Sequence, residues 1–62
     1  MLEEELREAH DILEDMWLDL SLNPGYLERL QHIYNKAESL VEMGQTEQAQ
    51  EGISLFWVAL RG

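Results

Sequence analysis

The chain has 62 residues, and 13 acidic side chains against 4 basic ones give it a formal net charge of -9. A chain this short buries only ~60% of the surface it exposes when unfolded, so its core is marginal and small scaffolds usually add disulfides, a metal or a partner. With no cysteine, disulfides, thiol nucleophiles and thiolate zinc sites are excluded, and an acidic balance of this size argues against direct contact with nucleic acid or an anionic membrane.

The segment after Met1, "LEEELREA", lacks the basic start and apolar middle of a signal peptide. The longest apolar run falls well short of the ~20 residues that a membrane span needs. A soluble, cytoplasmic protein forming a single helical domain over residues 1–62 is the expectation, in keeping with a reducing compartment.

Residues 2–20 place Leu2, Leu6, Ala9, Leu13, Met16 and Leu20 at alternating steps of four and three. That spacing is the seam of an amphipathic helix. Ile12 and Trp17 fall at its edges. Glu4, Glu8, Asp11, Asp15 and Asp19 fall opposite, as an acidic ladder.

"SLNPG" then breaks the pattern. Asparagine is a good N-cap and proline is tolerated in the first helical turn, so Asn23 and Pro24 begin a second helix, predicted over 24–43. Its apolar face carries Leu27, Leu30, Ile33, Tyr34, Ala37, Leu40 and Val41, and Gly44 supplies the left-handed stop.

A third helix is predicted over 46–60, with Thr46 as its cap and Glu47 near its positive end. Ala49, Gly52, Ile53, Phe56 and Leu60 share one face, Leu55 and Trp57 flank it, and Val58 stands alone on the polar side. The apolar arc covers roughly 200°, against the ~100° stripe of an ordinary surface helix. A strand over the same run would find no partner strand for its backbone groups.

The fold expected is therefore all-α, a small three-helix bundle in which a helical hairpin joins a third helix, completed by self-association. Two neighbouring helices leave part of the third helix uncovered, and large exposed apolar patches on soluble proteins mark contact sites. Trp17, Leu55, Phe56, Trp57 and Leu60 are the expected interface, tryptophan being favoured at such contacts. The occupant would be a second copy, giving a homodimer, or another protein.

Catalytic signals are thin. His10 with Glu14, and Glu28 with His32, are four apart and read as solvated pairs worth a few tenths of a kcal/mol, roughly 0.2–0.5. The Glu-x-x-His spacing of carboxylate-bridged metal sites is absent. Neither a phosphate loop nor a calcium loop is present. No enzyme activity, metal, cofactor or small-molecule substrate is expected.

The function expected is that of a small protein-binding module, an adaptor or inhibitor working through helix-mediated contact. The alternative is an acidic nucleic-acid mimic that blocks a nucleic-acid-binding protein, of the anti-restriction or anti-CRISPR kind. The ladder's steps of roughly 5–6 Å are dilute beside a duplex, which carries one charge per ~1.7 Å.

Overall fold

A computed structural model describes residues 1–61 as three helices: α1 (Leu2–Leu18), α2 (Pro24–Glu42) and α3 (Thr46–Arg61). No strand is present among the described residues. The body measures 36 × 17 × 16 Å. The longest helix is ~28 Å at ~1.5 Å per residue, so the three helices lie side by side along one axis.

The breaks fall where the local chemistry puts them. Asn23 accepts a hydrogen bond from the Gly25 backbone N–H at 2.8 Å, with Pro24 as the first helical residue. This satisfies one of the donors a helix start leaves free. At the far end of α2, Gly44 takes φ 79°. The Gly44 N–H donates to Val41 O at 3.0 Å and the Gln45 N–H to Leu40 O at 2.8 Å, the paired bonds of a Schellman motif.

Beyond one-residue shifts at the ends of α2 and α3, two features of the helix termini differ from the sequence expectation. α1 stops at Leu18 instead of running to residue 20, because Asp19 leaves helical geometry (φ -90°, ψ 104°). Its carboxylate accepts from both the Ser21 N–H (3.0 Å) and the Ser21 hydroxyl (2.6 Å). A side chain that bonds its own backbone two residues on competes with the helix and turns the chain. Leu20, expected on the seam, is 97% exposed as a result.

Thr46 is already the first helical residue of α3, so it does not cap. The Schellman turn delivers the chain directly into α3, and Gln45 O accepts from the Ala49 N–H at 2.9 Å.

The core gathers Ala9 and Leu13 of α1, Leu30 and Tyr34 of α2, and Ile53 and Phe56 of α3. Each lies on the face that the periodicity assigned to it. Small residues bring α2 and α3 close: a Cβ built on Gly52 would stand 3.2 Å from Ala37 Cβ. At the other end of this hairpin the Tyr26 hydroxyl lies 3.2 Å from the carbonyls of both Ala59 and Leu60. It donates to the last turn of α3, where carbonyls have no helical partner.

Candidate functional site

α3 turns opposite faces to the core and to solvent. Inward, Phe56 is fully buried and Ile53 nearly so. Trp57 meets Phe56 edge-on, with ring centroids 5.2 Å apart and planes at 82°. Trp57, Ala59 and Leu60 are half-buried against the same cluster. Outward, Leu55 is 61% and Val58 63% exposed.

This corrects the expected interface. Phe56, expected near its centre, has no surface to offer, because α1 and α2 together cover the face on which it lies. Trp57 and Leu60 are partly committed to the core edge. Trp17 is 42% exposed and its indole N–H donates to Gln31 Oε1 of α2 at 3.2 Å. It stands apart from Leu55: Glu5, which borders the groove beside Leu55, lies twelve residues back along α1, about 18 Å at ~1.5 Å per residue. Of the five expected residues, Leu55 alone is a largely open apolar side chain of the outer α3 face.

Val58 stands on the polar side expected for it and is 63% exposed, but it is joined there to Leu55, a pairing that the expected interface does not include. Their spacing of three along one stripe was the available signal. Together they border an open groove of about 820 Å³ between α1 and α3, rimmed by Glu5, Glu47, Gln50 and Glu51. Leu55 and Glu51 also border a second groove, on the α2 side, where His32, Lys36 and Leu40 line the wall. Leu55 is thus a ridge with a carboxylate-rimmed groove on one side and a groove containing a lysine and a histidine on the other.

Of the acidic ladder, Glu4, Glu8, Asp11 and Asp15 lie on α1, whereas Asp19 has left the helix. Glu4, Glu8, Asp11, Asp15 and Asp19 are all exposed. No lysine or arginine forms an ion pair with a carboxylate among the described residues.

His10 lies between two carboxylates, with Nε2 3.4 Å from Glu14 and Nδ1 3.9 Å from Asp11. One ligand atom from each of the three falls within 4.8 Å of the others. All three residues are exposed and belong to a single helix, so no second element closes the arrangement against water. Glu28 and His32, the other spaced pair, do not meet as an ion pair among the described residues.

Two titrating groups depart clearly from their ordinary values. The hydrogen bonds from Ser21, side chain first and backbone second, hold Asp19 below the usual carboxylate range. Burial, reinforced by the bond that the Tyr34 hydroxyl donates to Glu38 Oε2 at 3.1 Å, pushes Tyr34 up to about 12. Both move away from neutrality, whereas a general acid or base at neutral pH is tuned toward it.

No helix among the described residues is long and apolar enough to cross a membrane. No protein-family model, curated protein or solved structure matches this chain.

Proposed function

We propose that this protein is a non-enzymatic binding module, an adaptor or inhibitor that acts by occupying another protein's surface through the outer face of α3. The observation that carries the reading is the uncovered pair Leu55 and Val58 beside an open groove. Apolar groups left in water at a concave surface gain from any partner that covers them. A partner other than a second copy is favoured, because Phe56, expected near the centre of a dimer contact, is spent in the core and two copies that each carry a net charge of -9 repel one another. The cytoplasm is the setting proposed, in keeping with the cysteine-free composition.

Affinity capture from the native host tests this, with wild type compared against the double variant Leu55→Ser/Val58→Ser at low and high salt. Apolar burial is not screened, so proteins retained by wild type should be depleted from the double variant at both salt concentrations. Equal retention would refute the reading. The exposed ladder on α1 keeps the mimic alternative in view: loss confined to a variant with Glu4, Glu8, Asp11, Asp15 and Asp19 neutralised, with wild-type binding itself failing at high salt, would transfer the function to that face.

A further inference from the structure

We infer that the partner element seated in the α1–α3 groove is a cationic amphipathic helix. The inference rests on the protein-binding reading above and adds the chemistry of the partner.

The groove has an apolar wall, Leu55 and Val58, and a rim of three carboxylates, Glu5, Glu47 and Glu51. None of the three is ion-paired with a lysine or arginine among the described residues. Glu47 and Glu51 are one turn apart on α3, where like charges destabilise one another. Glu5 adds a third from α1 across the groove. Glu47 and Glu51, one turn apart, lie within the ~8–10 Å over which exposed charges still interact, so a cation arriving there relieves a repulsion already present.

Among the described residues the side chains bordering this groove include no cation; His32 and Lys36 border the groove on the other side of Leu55, to which Glu51 also belongs, while Glu5 and Glu47 border this one alone. That separation selects the groove and the sign of the partner together. It also disfavours a second copy, which would bring rim against rim between two chains that each carry a net charge of -9.

Dimensions select a helix. From Glu47 to Val58 the groove follows α3 for about 16 Å at ~1.5 Å per residue, or three turns. A helix with apolar side chains at i, i+3, i+4 and i+7 presents a matching stripe, and lysines or arginines flanking that stripe reach the carboxylates on either wall. Complementary charge of this kind speeds encounter and fixes register, while Leu55 and Val58 supply the unscreened part of the affinity.

The test uses a synthetic helical peptide of ~18 residues, about 27 Å long, with leucines at those positions and lysines elsewhere. A glutamate-for-lysine version is the control. Binding is followed by fluorescence anisotropy of the labelled peptide against the full chain. Two variants remove three charges each: Glu5→Gln/Glu47→Gln/Glu51→Gln at the rim, and Glu4→Gln/Glu8→Gln/Asp15→Asn on the ladder. Circular dichroism confirms that each is folded, since all six positions are exposed or half-exposed.

The expected result is roughly tenfold weaker binding of the lysine peptide to the rim variant than to the ladder variant. A comparable loss is expected with Leu55→Ser/Val58→Ser, and no binding of the glutamate peptide. Equal weakening by rim and ladder variants would overturn the inference, leaving general attraction to an acidic protein. If the glutamate peptide or a second copy of the chain binds through Leu55 and Val58 instead, the binding-module reading stands and the cationic partner falls. If Leu55→Ser/Val58→Ser changes neither peptide binding nor host-protein capture, both fall.

Discussion

The two faces of α3 carry the same kinds of side chain to opposite ends. Ile53 and Phe56 are closed off by α1 and α2, while Leu55 and Val58, one or two residues away in sequence, stand in water beside a groove. A greasy helix in a small acidic protein is therefore not one feature. Its inner half completes a core that a chain of this length can barely assemble, and its outer half is what that core leaves over. On the proposed reading, stability and recognition are divided around a single helix, so substitutions a few positions apart should have separable effects.

The largest effect belongs to the inner face. Phe56→Ala empties a fully buried aromatic site and should cost about 3–5 kcal/mol. That is a large share of the ~5–15 kcal/mol by which domains are usually stable. Urea unfolding followed by circular dichroism measures it, and a loss below ~1 kcal/mol would mean that the inner face is not the core.

Trp57→Ala probes the boundary between the faces. Half-buried and edge-on to Phe56, the residue should contribute about 2 kcal/mol through its covered area. A loss as large as that of Phe56→Ala would place it inside a contact absent from the isolated chain.

Gly44→Ala tests what aims α3. A methyl group there meets nothing within 4 Å, but φ is +79°, so the cost is purely that of forcing a left-handed backbone, roughly 1–2 kcal/mol. Differential scanning calorimetry should show a lower Tm with unchanged helicity.

The smallest inner-face effect depends on pH. Tyr34 is raised above its ordinary value of 10.0 to about 12 by burial and by Glu38. The folded state therefore holds the phenol proton more tightly than the unfolded one. Its contribution is complete below pH 10 and is lost as pH rises through about 12. Tyr34→Phe should flatten the decline in urea stability across that window, and an unchanged slope would contradict the burial of Tyr34 as the cause.

Much of this division was legible in the sequence. The seams of Leu2, Leu6, Ala9 and Leu13, of Leu27, Leu30, Tyr34 and Ala37, and of Ala49, Ile53 and Phe56 follow the helical period. Asn23-Pro24 and Gly44 are local signals whose physics does not depend on the rest of the molecule. The end of α1 was harder, because the period continues to Leu20 while Asp19 and Ser21 bond each other and turn the backbone. Within the run Ile53 to Leu60 nearly every residue is apolar, so composition cannot say how much of it stays open; Phe56, on the seam by its period and also expected in the interface, is fully taken up by the core. The groove was not legible at all. It depends on Glu5 of α1 meeting Glu47, Glu51 and Leu55 of α3, a pairing set by how the helices dock rather than by any spacing within one of them.

The most direct test of the divided helix is the urea stability of Leu55→Ser/Val58→Ser beside wild type, each measured over a wide range of protein concentration. If the two faces are separate, midpoints should not move with concentration and the change should stay within about 0.5 kcal/mol, as for surface positions. A loss above ~2 kcal/mol, or a wild-type midpoint that climbs with concentration and stops climbing in the double variant, would contradict that separation by showing that the outer face is already buried between copies of the chain.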